Sequence, residues 1–195
     1  MVSIRQHRYG ETYRILGQNM IYKLIEAESP SLNVKLPDMT FDDIKTKYDL
    51  TPQELYDNLK GTMSAMRGIG LSANQCGLSI RAFVMYTDLK DGNVEIYFNP
   101  KIIWESEETE FFVEGCLTYP HLFLNLKRPK MIEFEYMDIN GEQKKGKFAG
   151  LTARIFQHEY DHMDGKNFTM YASKLKMDMA RKKQQKMLKK VVKTS

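Results

Sequence analysis

The sequence predicts an α+β fold with an antiparallel sheet, few helices and a basic helix that closes the chain. Three observations carry that reading. Apolar residues recur at helical spacing in two separated stretches, roughly 52–66 and 151–163. The region between them, about 80–148, is rich in β-branched and aromatic residues and punctuated by hairpin signals. Runs of strands bounded by few helices, in place of alternating βαβ units, point to antiparallel pairing.

Residues 1–50 come first, with short apolar groups broken by Gly10, Gly17, Pro30 and Pro37 and no sustained period. Thr51-Pro52-Gln53-Glu54 is then a capping box with proline at the first helical position. Its threonine and glutamate side chains can satisfy backbone N–H groups that a first turn leaves unpaired. Leu55, Leu59, Met63 and Met66 follow on one face, so a helix is expected over 52–66. Gly68 and Gly70 punctuate the segment after it. Strands are expected at 81–87, 95–98, 101–104, 122–126 and 131–137. Asp91-Gly92 and Asn140-Gly141 mark hairpin turns, the second preceded by alternating Ile132, Phe134 and Tyr136. Helical character returns at 151–163, and the Lys/Met-rich stretch 174–190 ends the pattern as a further helix.

A chain of 195 residues, 42% of them apolar, is long enough to bury one sizeable core. No stretch approaches the 18 apolar residues of a membrane span, and 1–10 lacks the apolar segment of a signal peptide. Two cysteines, Cys76 and Cys116, make no disulfide framework. The expectation is a cytoplasmic globular protein, neither membrane-spanning nor a secreted mini-protein. The formal net charge of +4 conceals an asymmetry. Residues 174–195 hold nine Lys/Arg against one Asp, while 1–173 are mildly acidic. A basic tail on an acidic body suggests a polyanionic partner, although a merely solvated helix has the same composition.

The strongest chemical signal is His158-Glu159-Tyr160-Asp161-His162. Residues four apart share a helix face, so the two imidazoles can hold one metal ion, and Glu159 can take a proton from water that the ion polarises. Two surface histidines would satisfy the same spacing without chemistry, but two of only four histidines flanking a glutamate in this way is improbable. A catalytic ion needs a third protein ligand. Downstream, the position six beyond His162 is Phe168, and no glutamate follows Glu159, so common metalloprotease layouts are poorly served. Upstream stands Cys116, whose thiolate is a good soft ligand; a lone cytosolic cysteine is more often simply buried, and only the incomplete two-histidine helix tips the balance. His121 is the next candidate.

Three segments together resemble the motifs of the peptide deformylases, in the family's order and at similar spacing. They are Gly68-Ile69-Gly70-Leu71-Ser72-Ala73-Asn74-Gln75, Glu114-Gly115-Cys116-Leu117-Thr118 and Gln157-His158-Glu159-Tyr160-Asp161-His162. The resemblance spans about 68–168. It departs at Ser72 (usually Ala), Thr118 (usually Ser) and Met163 (usually Leu), none of them a ligand or the acid/base residue; residues 29–49 do not align and read as an insertion. The family's fold implies sheets around a central metal-binding helix. Its activity implies hydrolysis of the N-formyl group from the initiator methionine of nascent peptides, releasing formate. Its ligand set implies Cys116, His158 and His162, with Fe²⁺ in cells and Zn²⁺ a common replacement; mixed Cys/His ligation also accepts Ni²⁺ or Co²⁺. Glu159 would shuttle the proton, the Gln75 side chain and the Leu117 N–H would form the oxyanion hole, and the Gly70 backbone would pair with substrate. Ile69, Phe112, Leu151 and Ile155 would line a methionine slot, with Glu114 and Gly115 nearby; each apolar member could equally be ordinary core. Asp161 could support His162 or pair with Arg128 or Arg154, and the sequence leaves these open.

The chemistry asks for such parts independently. Formamide hydrolysis at neutral pH needs an activated water, fixed donors for the tetrahedral oxyanion, and a proton for the leaving amine. The alternative reading is an atypical zinc metalloprotease with Cys/His/His ligands, distinguished by its action on blocked rather than formylated peptides. A third is a nucleic-acid or ribosome-binding module with a structural metal, whose metal removal would abolish folding but no activity. We expect one catalytic domain over 1–173 and a basic helical tail over 174–195. The tail, with Leu175, Met179, Met187, Leu188 and Val191 among its lysines, would dock on the ribosome near the tunnel exit. It lacks the aromatic anchors of an interfacial membrane helix. No sequence-specific nucleic-acid contact is expected.

Overall fold

The computed structural model describes residues 4–6, 12–16 and 19–194, with side chains over 20–190. Three short strands, β1 (Ile4–Gln6), β2 (Thr12–Leu16) and β3 (Asn19–Ile21), pair antiparallel in sequence order. A 3-10 turn at Pro30–Asn33 and a two-turn helix, α1 (Phe41–Tyr48), occupy the segment that the motif alignment leaves out. A Thr40/Asp43 capping box starts α1, and Asp49 ends it in the left-handed region at φ 54°. Only Ile44 and Tyr48 of α1 are buried, too few to produce a visible period in the sequence.

The predicted helix follows as α2 (Pro52–Ala65). Its capping box forms as expected, with Glu54 Oε2 accepting from the Thr51 N–H at 2.8 Å and Thr51 Oγ1 accepting from the Glu54 N–H at 3.2 Å. Leu55, Leu59 and Met63 are fully buried, whereas Met66 sits at the C-cap and is exposed, outside the face it was expected to extend. The polar positions of α2 hold the N-terminal strands. Asn58 Oδ1 accepts from the Met20 N–H at 2.8 Å, and Thr62 Oγ1 accepts from the Tyr22 N–H at 2.9 Å.

A five-stranded antiparallel sheet is built from β4 (Gly70–Ser72), β5 (Ala82–Asp88), β6 (Asn93–Glu105), β9 (Met131–Met137) and β10 (Gln143–Ala149), in the order β10-β9-β6-β5-β4. Between β6 and β9, β7 (Thr109–Cys116) and β8 (Tyr119–Pro129) form a separate two-stranded sheet. The two strands expected at 95–98 and 101–104 are one strand, β6. Asn99 adopts φ 48° there and bulges the ladder without breaking it. The bulge is tied from outside, because the Asn99 side chain bonds both the N–H and the C=O of Met39 at 3.0 and 2.8 Å.

Helix α3 (Gly150–Met163) lies against the five-stranded sheet. Ala153, Ile155, Phe156 and Met163 pack with Phe83, Met85, Tyr97, Ile132 and Phe134. Side chains of this size contribute roughly 1.5–3 kcal/mol each on leaving water. That apolar contact fixes the rotation of α3, and with it the direction of its histidines. Beyond a 3-10 turn at Phe168–Tyr171, α4 (Lys174–Thr194) runs along β8. Met177 and Ala180 face the Leu122/Leu124/Leu126/Phe168 cluster, and Gln184 Nε2 donates to the Pro120 carbonyl at 2.7 Å. Leu175 and Met179, which the sequence offered as part of an apolar face, point outward. The side chains of Val191 and Lys193 lie outside the described residues.

Candidate active site

Two elements deliver three metal-ligating groups to one point. His158 and His162, one turn apart on α3, place their ring centroids 5.2 Å apart, and β7 ends at Cys116 beside them. The donor atoms of Cys116, His158 and His162 all lie within 4.8 Å of one another, with Cys116 Sγ 3.4 Å from His162 Nε2. His121, although it borders the same cleft, is not part of this group.

The ring of His158 is held from behind. Its Nδ1 meets Glu114 Oε2 at 3.0 Å, which leaves Nε2 for a ligand. Glu114 is buried and receives a two-pronged contact from Arg128, Nε to Oε1 at 2.7 Å and NH2 to Oε2 at 2.8 Å, with Arg154 NH1 at 3.0 Å. Burial pushes the Glu114 carboxyl up, but hydrogen bonds from His158 and Arg128 outweigh it and hold the pKa at about 2. Arg128 also binds Asp161, whose other oxygen accepts from the Tyr171 hydroxyl at 2.9 Å. Of the alternatives open to Asp161, the structure therefore takes Arg128, while Arg154 turns to Glu114. Glu114 was expected beside the methionine slot. The usable signal for its second role was its place two residues before Cys116, on the same face of a strand.

Burial works to raise the Cys116 thiol, but the charge of His162 and hydrogen bonds from both histidines hold it well below the ordinary range. His158 shifts the opposite way, because its contacts with Cys116 and Glu114 overcome burial and push it well up. Glu159 points into the same space. Burial raises its pKa to about 7, against the pull of His158 and His162, and its Oε2 has no hydrogen-bond partner. A cysteine sulfur and two imidazoles form a donor set that suits a divalent transition metal, with an unpartnered buried carboxylate oxygen beside it. Gly70 is glycine for a local reason: a Cβ there would stand 2.4 Å from Glu159 Oε1.

Gln75 sits in a 3-10 turn, Ala73–Cys76, that follows β4. Its Oε1 accepts from the Ser72 N–H at 3.0 Å and the Ser72 hydroxyl at 2.9 Å. Its Nε2 donates to Thr118 Oγ1 at 2.7 Å and to Cys116 Sγ at 3.2 Å. Ser72 and Thr118 registered in the sequence only as departures from a motif.

Cys116 and His158 open onto a cleft of about 620 Å³, as do Gln75 and Glu159. Ile69, Gly70, Leu117, Leu151 and Ile155 border it, together with Glu114 and Gly115. Phe112 does not. Its ring lies under the Arg154 guanidinium, 5.1 Å from centroid to carbon. Ile69 and Leu151 are large apolar residues left exposed at this cleft.

Residues 21–178 match the sequence profile of the polypeptide deformylase family. A peptide deformylase of Bartonella tribocorum is 36% identical over 160 residues, which are 77% of this chain and 88% of that relative. One of Pseudothermotoga lettingae is 43% identical over 119 residues, 61% of this chain and 67% of the relative. Among solved structures, the peptide deformylase of Legionella pneumophila superposes with a TM-score of 0.75 at 30% identity, covering 88% of this chain and 98% of that one. A plant peptide deformylase gives a TM-score of 0.75 at 30% identity, over 93% and 96%.

Proposed function

Because the chain belongs to the polypeptide deformylase family, we propose that Glu159, Gln75 and the Leu117 N–H carry out deformylation in this cleft, beside a metal held by Cys116, His158 and His162. The observation that carries this reading is the convergence of a buried carboxylate with one unpartnered oxygen and a fixed amide N–H₂ on the three-ligand group. A bound divalent ion would supply Lewis acidity, lowering the pKa of a water towards about 7 and polarising the formyl carbonyl. Everything else is done by the chain. Glu159 accepts a proton as water adds to the formyl carbon, and it returns that proton to the nitrogen as the C–N bond breaks. Formate and a free methionyl amine leave. Gln75 has one N–H engaged by Thr118 and the other turned towards Cys116, so the second can donate to the developing oxyanion. One such donor is worth about 3 kcal/mol. Ile69, Leu151 and Ile155 would take the methionine side chain, and the Gly70 backbone would pair with the peptide.

The substrate is the N-formylmethionyl nascent chain, and the place of action is the cytoplasm. No helix among the described residues is long and apolar enough to cross a membrane. Fe²⁺ is the proposed cellular ion, with Zn²⁺, Ni²⁺ or Co²⁺ able to replace it at the same donors. The α4 lysines Lys182, Lys183, Lys186 and Lys189, which stand clear of the Met177/Ala180 contact, would bind ribosomal RNA near the tunnel exit. Neutralising Lys182, Lys183, Lys186 and Lys189 together should abolish low-salt co-sedimentation with ribosomes while short formyl-peptides are still hydrolysed. Unchanged co-sedimentation would reduce the tail to a solvated helix.

The assigned chemistry is tested by Glu159→Gln. Because Glu159 is not a ligand, the variant should keep its metal yet release formate from formyl-Met-Ala-Ser several orders of magnitude more slowly. Near wild-type turnover in the metal-loaded variant would overturn the role given to Glu159.

A further inference from the structure

We propose that Ser72 and Thr118 are positioning residues that lock the Gln75 amide in the one orientation from which it can donate to the reacting carbonyl. The inference rests on the reading of Gln75 as an oxyanion donor. A glutamine side chain is a poor fixed dipole by default. It has three rotatable bonds, and a half-turn of its amide exchanges an acceptor for two donors at almost no steric cost. An oxyanion donor works only if it is already aimed when charge develops.

Here each end of the amide is claimed by a group of the right polarity. Oε1 accepts from the Ser72 backbone N–H at 3.0 Å and from the Ser72 hydroxyl at 2.9 Å. Nε2 donates to Thr118 Oγ1 at 2.7 Å and to Cys116 Sγ at 3.2 Å. A flipped amide would set its N–H₂ against the Ser72 N–H, donor against donor, and would turn its oxygen towards Cys116 Sγ, where no N–H would then face the ligands. Ser72, Gln75 and Thr118 are all buried, so water offers no substitute partner for a lost bond. Thr118 thus consumes one N–H of Gln75, and the Ser72 hydroxyl and backbone N–H together fill both acceptor directions of its oxygen. That leaves a single N–H, the one facing the ligands, free to change partner during reaction.

With alanine at 72, the more usual family residue, Oε1 would keep only the backbone donor. The extra hydroxyl therefore tightens the clamp in this chain. It should also polarise the amide, since a hydrogen bond accepted at the oxygen strengthens those donated by the nitrogen.

Ser72→Ala removes one oxygen at a fully buried position, and Thr118→Val is nearly isosteric, so both variants should fold. The zinc-loaded protein gives a readout independent of activity, the ¹⁵N–¹H signals of the Gln75 side chain. In the parent these should be well separated and slow to exchange with solvent. In each variant they should move towards the positions of free glutamine and exchange faster. On formyl-Met-Ala-Ser, kcat should fall about tenfold with KM within about twofold, a loss confined to the transition state. Thr118→Ser should restore both readouts. If Ser72→Ala and Thr118→Val leave the amide signals and kcat as in the parent, the positioning role is overturned. Gln75→Ala separates the two layers: undiminished kcat in that variant would remove the oxyanion reading itself and the inference with it.

Discussion

Replacing Gly70 with alanine is a sharp probe of the site, because the structure says which atoms the added methyl would strike. A Cβ at position 70 would lie 2.4 Å from Glu159 Oε1, 2.9 Å from Cδ and 3.0 Å from Cγ. Ordinary contact between such atoms begins near 3.5 Å, so the carboxylate must retreat by about 1 Å. The three nearest atoms all belong to the Glu159 side chain, so β4 can stay in place. Gly70 is not in the left-handed region, so alanine is not strained there by its backbone. The cost should therefore fall on chemistry and spare folding. A displacement of about 1 Å at a group that must meet the reacting atoms costs on the order of 10²-fold in rate, or about 2.7 kcal/mol of barrier. Formate release from formyl-Met-Ala-Ser, with metal content measured on the same preparation, is the assay. The expected outcome is full metal occupancy, a thermal midpoint near that of the parent and kcat reduced about 100-fold. Parent-like kcat in a fully loaded Gly70→Ala protein would refute the argument that the position of this carboxylate limits the reaction.

Two further predictions concern the charges behind the ligands. Arg128→Met leaves Glu114 and Asp161 buried without the cation they share, which should destabilise the protein by about 3–5 kcal/mol; thermal denaturation checks this, and a loss below about 1 kcal/mol would mean the site relaxes around two carboxylates. Glu114, with its pKa lowered to about 2 from 4.5, contributes stability that is fully present above about pH 4.5 and lost as pH falls towards 2, about 3 kcal/mol in all. Urea midpoints at pH 5 and pH 3 should therefore diverge less in Glu114→Gln than in the parent, and equal divergence would assign the acid sensitivity to other groups.

Sequence alone determined whatever depends on a few consecutive residues. The α2 capping box lies within four positions, and the period of α3 repeats within a turn. His158 and His162 share a face because any helix brings i and i+4 together. The Asp91-Gly92 and Asn140-Gly141 turns follow from backbone freedom at Gly92 (φ 71°) and Gly141 (φ 85°). The three motifs were legible for the same reason, each being a short string. What the sequence could not decide was set by partners far along the chain. Asn99-Pro100 looks like a break between strands, and it is a bulge because Met39 ties it from 60 residues away. The polarity of α4 permits several inward faces, and β8 selects Met177 and Ala180 by packing. Glu114 becomes the support of His158 only when β7 meets α3, 44 residues on, and Arg128 and Arg154 arrive to hold its charge. Local rules act through bonds and hydrogen bonds that a segment makes with itself, so a short string suffices to read them. Which polar groups share a buried space depends on how elements stack, and a buried charge persists only where distant partners compensate the water it has lost.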